Sequence, residues 1–76
     1  MKFIKVKREN DYGELIDIAY SKNGKFVIYP FLKGFDYTTV ENFKQKIVDP
    51  QYVIRFSPRY GFTDIDKVIH YAERFL

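Results

Sequence analysis

The chain has no cysteine and a single histidine. Without cysteine there is no disulfide to staple the fold, and no thiolate to ligate a metal or attack a substrate. Its four glycines stand singly, at Gly13, Gly24, Gly34 and Gly61. A phosphate-cradling glycine loop is therefore missing, and each glycine has a turn to explain it. No apolar run approaches the roughly 20 residues of a membrane span. The basic start, Met1-Lys2-Phe3-Ile4-Lys5-Val6-Lys7-Arg8, alternates apolar residues with lysine and lacks the continuous apolar stretch of a secretion signal. A cytoplasmic protein with no membrane partner is expected.

What is present is core material. Of 76 residues, 46% are apolar and 20% aromatic, with eight Phe and seven Tyr. That composition excludes intrinsic disorder, which has few aromatics. The length fits one domain over residues 1–76, burying about 60–65% of its unfolded surface. The net charge of +3 is only mildly basic, but its distribution is uneven. Residues 1–8 carry Lys2, Lys5, Lys7 and Arg8 without an acid; residues 9–20 carry Glu9, Asp11, Glu14 and Asp17 without a base. Blocks of opposite sign pair well across neighbouring strands.

Residues 2–8 alternate, with Ile4 and Val6 on one side and Phe3, Lys5 and Lys7 on the other, which predicts a strand. Residues 14–21 and 25–32 flank Asn23-Gly24, a strong hairpin signal. With Asn23 and Gly24 as a two-residue type I′ turn, Tyr20 faces Val27, Ile18 faces Tyr29 and Ile16 faces Phe31. Thr38 and Glu41 form a capping box, ahead of a helix carrying Val40, Phe43 and Ile47 and ended by Asp49-Pro50. Residues 51–57 alternate as a further strand. Thr63 caps a second helix, whose early acids Asp64 and Asp66 suit the helix dipole. Its apolar stripe is Ile65, Val68, Ile69, Ala72, Phe75 and Leu76. The fold class predicted is α+β: a two-layer sandwich in the order β-β-β-α-β-α. Its four-stranded sheet is mixed, and both helices lie on one face. A faint echo links the two strand-to-helix turns, Gly34-Phe35 and Gly61-Phe62. It is read as two turns reaching the same solution.

The chemistry-bearing inventory is thin. His70 stands four residues after Asp66 and four before Arg74, the spacing of exposed ion pairs on a helix surface. No serine is placed as a nucleophile for an Asp–His pair. Asp64 and Asp66 diverge around the helix. The Asp11, Glu14 and Asp17 series lacks the glycine and spacing of a calcium loop. No enzyme activity, cofactor, metal site or small-molecule substrate is expected.

The suggestive feature is a sheet surface. If Ile4, Val6, Ile16, Ile18, Tyr20, Val27, Tyr29, Phe31, Tyr52, Ile54 and Phe56 face the helices, the other side shows Phe3, Lys5, Lys7, Leu15, Phe26, Ile28, Leu32, Val53 and Arg55. That side is too apolar for an ordinary wet face, so a cover is expected. Beyond it, Arg55-Phe56-Ser57-Pro58-Arg59-Tyr60-Gly61-Phe62 interleaves arginine with rings, as binders of single-stranded nucleic acid do. Arg59-Tyr60-Gly61-Phe62 resembles part of the aromatic signature of RNA-recognition motifs. The first Gly and the following Val of that signature are missing, and the strand order is wrong for that fold. These residues describe a non-catalytic binding module. Its site would comprise Phe3, Lys5, Lys7, Phe26, Ile28, Val53 and Arg55 with Arg59 and Tyr60. The occupant expected first is protein: a homodimer partner, or the target of an inhibitor or adaptor. Nucleic acid is the alternative, with bases on Phe3 and Phe26 and phosphates on Lys5, Lys7 and Arg55 and on the basic loops at Lys22, Lys25, Lys33 and Arg59.

Overall fold

The computed structural model describes residues 1–45 and 55–76. Four strands, β1 (Phe3–Glu9), β2 (Leu15–Ser21), β3 (Phe26–Phe31) and β4 (Gly34–Thr39), form an antiparallel sheet in the order β1-β2-β3-β4. Helix α1 (Val40–Lys44) follows β4. A 3₁₀ turn, η1 (Pro58–Tyr60), then precedes helix α2 (Ile65–Phe75).

The class is α+β with two helices, but two expectations about the sheet are corrected. Among the described residues it is antiparallel rather than mixed, and the strand beside β3 is Gly34–Thr39; the strand expected over residues 51–57 is only partly described. Of the latter segment, residues 51–54 lie outside the described residues, as do Ile47 and Asp49-Pro50. Phe56 makes a lone antiparallel bridge to Phe35, with both N–H···O bonds at 3.1 Å, along the outer edge of β4. Gly34-Phe35 opens a strand while Gly61-Phe62 follows a 3₁₀ turn, so the two parts of the internal echo do different jobs.

The β2–β3 register is the one the sequence predicts, with Ala19 opposite Ile28 and Tyr20 opposite Val27. The turn that sets it is different. Gly24 N–H donates to the Ser21 carbonyl at 2.9 Å, and Gly24 alone in the turn has positive φ, at 74°. This is a four-residue loop, residues 22–25, built on a β-turn. It is centred where the two-residue loop would be, so every cross-strand pair is kept. Ser21 closes it from inside: its buried hydroxyl donates to Asn23 Oδ1 (2.6 Å) and accepts from Phe26 N–H (2.9 Å). The ladder stops short of Pro30, which has no N–H to extend it.

Register assigns the two faces. Phe3, Lys5 and Lys7 share one with Asp17, Ala19, Phe26, Ile28, Phe35 and Tyr37; Ile4, Val6, Ile18, Tyr20, Val27 and Tyr29 share the other. Helix α2 packs on the first. Its Ile65, Val68 and Ala72 join Phe3, Ala19, Ile28 and Phe56 in one buried cluster, with Phe26, Phe35, Tyr37, Phe62 and Ile69 packed against it. Helix α1 serves the second face. The Phe43 ring sits 5.0 Å from that of Tyr29, and the Arg8 guanidinium lies 5.4 Å above Phe43. The helices therefore occupy opposite faces. This corrects the two-layer expectation and explains why both faces are apolar: Ile18 and Val27 are as fully buried as Ile28.

The caps lie one residue later than predicted. Thr39 Oγ1 accepts from Asn42 N–H at 3.1 Å, and Asp64 Oδ1 accepts from Lys67 N–H at 3.0 Å. In each case an extended-backbone residue with a short oxygen-bearing side chain satisfies an orphan amide of the first turn.

Candidate functional site

The described residues among those named from the sequence separate into three groups. Phe3, Phe26 and Ile28 belong to the packing beneath α2 and are not free to meet a ligand. Phe26 also stacks on Tyr37 at 5.2 Å. Lys5 and Lys7 are spoken for by acids. Lys5 Nζ lies 3.1 Å from Asp66 on α2, which holds its ammonium above the usual lysine range, and Lys7 Nζ lies 3.1 Å from Asp17. The second pair is the cross-strand match of the basic and acidic blocks, Lys7 opposite Asp17. Val53 lies outside the described residues. Arg55, Arg59 and Tyr60 remain, and they lead to a different surface.

That surface is a groove of about 640 Å³ between η1 and α2. Arg55, Tyr60, Gly61 and Phe62 line one side; Lys67, His70, Tyr71, Arg74 and Phe75 line the other. Arg59 is exposed on η1 beside it. Among the described residues the lining contains no acid.

Local sequence builds each wall. On η1, Pro58 takes the first helical position, where a missing N–H costs nothing. Ser57 caps the turn, its hydroxyl accepting from Arg59 N–H at 3.2 Å and its carbonyl from Tyr60 N–H at 3.0 Å. Gly61 closes it with φ at 86°, a conformation that disfavours any side chain. The result holds the Tyr60 ring out in solvent, 74% exposed, on a hydrogen-bonded support.

On α2, the 100° step per residue sorts the side chains around the axis. One flank of the buried stripe leans to β1. There Asp66 meets Lys5, and Glu73 Oε2 accepts the outward amide of Phe3 at 3.1 Å. Asp64 is used by the cap. The other flank carries Tyr71 and Phe75, and the arc outside it carries Lys67, His70 and Arg74. The helix's acids are thus drawn into intramolecular contacts, and its bases are left along the groove. His70 and Asp66 were expected to pair along the helix; Asp66 turns to Lys5 instead.

A run of rings floors the groove from the core outward. Phe56 contacts Phe62 edge-on at 5.3 Å, Phe62 contacts Tyr71 at 5.3 Å, and Tyr71 lies 4.6 Å from Phe75. Phe56 is buried whereas Phe75 is 61% exposed, so the outer ring is anchored through its neighbours. The Arg74 guanidinium sits 5.4 Å from the Phe75 centroid. Arg55 is held from beneath: its Nε is 3.4 Å from Oδ1 of the buried Asp36, and its guanidinium lies 5.7 Å from the Tyr37 ring. Asp36 Oδ2 accepts from the Tyr29 hydroxyl at 3.1 Å, and Oδ1 accepts from Tyr37 N–H at 2.8 Å. Burial pushes the Tyr37 hydroxyl above its usual range, with Arg55 opposing. Asp36 therefore acts as a structural anchor that orients Arg55.

Chemically, fixed cations beside exposed rings can hold an anion and stack against a flat partner. Among the described residues, no group of three or more His, Asp or Glu gathers to hold a metal ion. None of the helices described is long and apolar enough to cross a membrane. Comparison with protein-family models, curated proteins and solved structures gives no match to this chain.

Proposed function

We propose that the protein is a non-catalytic module that binds nucleic acid through the groove between η1 and α2. The observation that carries the reading is the lining. Lys67, His70 and Arg74, with Arg55 held on Asp36, stand among Tyr60, Phe62, Tyr71 and Phe75, while the nearby acids of α2 are engaged elsewhere. Lys67 and Arg74, which no acid among the described residues pairs, favour a polyanion, and the rings beside them favour one that carries flat aromatic groups.

Binding through phosphates releases counterions, so affinity falls with salt. With two to four cations engaged, the slope of log K against log salt is about −1.4 to −2.8, taking about −0.7 per contact. From 50 to 200 mM salt, affinity then drops roughly seven- to fiftyfold. Titration of a labelled oligonucleotide at both salt concentrations tests this, with a polyglutamate chain of equal charge as competitor. Salt-insensitive binding, or displacement by polyglutamate as efficient as by unlabelled oligonucleotide, argues against nucleic acid.

A second reading has its own support. Tyr60, Phe75 and Leu76 are exposed apolar side chains on this end of the molecule, and such side chains also serve protein interfaces. The protein would then be an interaction module, self-associating or bound to another chain. The sheet face on which homodimerisation was expected is the one α2 packs on. The edge strand β1 carries Lys5, Lys7 and Arg8, charges of the kind that discourage edge-to-edge pairing. Sedimentation at two protein concentrations tests it; a concentration-independent monomer excludes self-association.

A further inference from the structure

Resting on the reading of the groove as a nucleic-acid site, we infer that its ligand is single-stranded, with unpaired bases stacked on Tyr60 and Phe75 and phosphates held by Lys67 and Arg74. Three features of the site lead there. The first is shape. The cations line a concavity between two elements, whereas a reader of duplex DNA inserts a convex helix or ribbon into the major groove. Here the cations border an open depression in which a single strand can lie.

The second feature is the rings. Tyr60 and Phe75 are 74% and 61% exposed; the hydrogen-bonded turn fixes the backbone from which the Tyr60 ring projects, and contact with Tyr71 fixes the Phe75 ring. An exposed ring held in place offers a stacking surface at little cost in side-chain freedom. Bases within a duplex are already covered on both faces and would have to be flipped out to reach it, at a cost of a few kcal/mol. Unpaired bases avoid that cost.

The third feature is spacing. Lys67 and Arg74 are seven residues apart on one arc of α2, which places them about 10 Å apart along its axis. Neighbouring phosphates of a stacked strand rise about 3.4 Å each, and those of an extended strand are further apart. The two cations therefore span a short stretch of two or three nucleotides, with the rings beside them. DNA and RNA share the chemistry used: phosphate and a flat base.

The test is a titration of the whole protein with a mixed-sequence single-stranded DNA, the matching RNA, and the DNA duplex of the same sequence, all at low salt. Single strands are expected to bind at least about tenfold more tightly than the duplex, the equivalent of about 1.4 kcal/mol of avoided flipping. Tyr60→Ala, at a site whose side chain is solvent-exposed, should weaken single-strand binding roughly five- to a hundredfold, the range for losing one stacking ring. Tyr60→Phe, which keeps the ring, should stay within about twofold. Circular dichroism confirms that both variants fold. Equal or tighter binding of the duplex overturns the single-strand inference while leaving nucleic-acid binding in place. Full affinity in Tyr60→Ala overturns the stacking role. No binding by any of the three polynucleotides overturns both this inference and the function on which it rests.

Discussion

Two isoleucines on opposite sides of the sheet should respond very differently to truncation. Ile28 is 0% exposed beneath α2, in contact with a cluster that includes Phe3, Ala19 and Val68. Ile4 lies on the other face near the end of the edge strand and is 50% exposed. Ile28→Ala removes three carbons from a closed site. The lost transfer energy plus the cavity left behind amounts to about 2–5 kcal/mol. A 76-residue chain has a total stability of roughly 4–11 kcal/mol at ordinary per-residue values. The substitution thus removes about a fifth of it or more. With a urea slope near 1 kcal/mol per molar for so small a chain, the unfolding midpoint should fall by about 2–5 M. Ile4→Ala should cost less than about 1 kcal/mol. The assay is urea unfolding followed by circular dichroism; if Ile28→Ala is too unstable to measure, Ile28→Val should still cost about 0.5–1.5 kcal/mol. A larger loss at Ile4 than at Ile28 would refute the placement of α2, because it is the ordering expected if the helix covered the opposite face.

Further outcomes follow from individual contacts. Leu32 has φ at 53°, a left-handed conformation that costs a non-glycine residue about 1–2 kcal/mol and that Asn tolerates better. Leu32→Asn should therefore raise stability by up to about 1 kcal/mol and the melting temperature by a few degrees. The Tyr37 hydroxyl has its pKa raised by burial, so the folded chain holds that proton more tightly than the unfolded one. Its contribution is fully present below the ordinary tyrosine value near 10 and is lost as pH rises beyond it. Urea unfolding between pH 9 and 11 should show a steeper fall for the wild type than for Tyr37→Phe. Asp36→Ala removes the buried carboxylate that pairs with Arg55 and accepts from the Tyr37 N–H and the Tyr29 hydroxyl; unfolding should register a loss of about 1–3 kcal/mol. The Lys5–Asp66 pair is exposed on both sides, so Lys5→Ala should lower stability by less than about 1 kcal/mol, and oligonucleotide affinity should stay within about twofold.

The sequence made some of this legible and hid the rest for identifiable reasons. The β2–β3 register survived a change of turn type because two- and four-residue loops about the same centre give the same pairs. The stripe of α2 was readable in part: Ile65, Val68 and Ala72 recur at helical spacing and are buried, whereas Phe75 and Leu76, placed in the same stripe, are exposed. Strand β4 was missed because its hairpin turn has no glycine, asparagine or proline: Leu32-Lys33 makes it, with Leu32 held in a conformation its type rarely adopts. The capping box beside it also drew attention to the helix rather than to Phe35, Tyr37 and Thr39. The faces were exchanged for a different reason. Alternation identifies a core face only when the other face is wet. Here Ile18 and Val27 on one side are buried as fully as Ile28 on the other, so the pattern carries no sign of which side α2 takes.

The groove was half visible. Arg55, Tyr60 and Phe62, singled out for their interleaved arginines and rings, do line it. Lys67, Tyr71 and Arg74 were passed over because a charged arc on a helix ordinarily faces water. The available signal was the spacing of Lys67, His70, Tyr71 and Arg74, at i, i+3, i+4 and i+7, which gathers three basic groups and a ring on one arc without an acid. That the acids of α2 would turn toward β1 is a tertiary contact no local pattern contains.

The most direct examination of the groove is residue-resolved NMR of the ¹⁵N-labelled protein titrated with a short single-stranded oligonucleotide at low salt. The amide shifts should move around Tyr60, Gly61, Lys67, His70, Tyr71 and Arg74, and stay still along β1 at Lys5 and Lys7. Shifts concentrated on β1, with the segment from η1 to α2 unmoved, would contradict it.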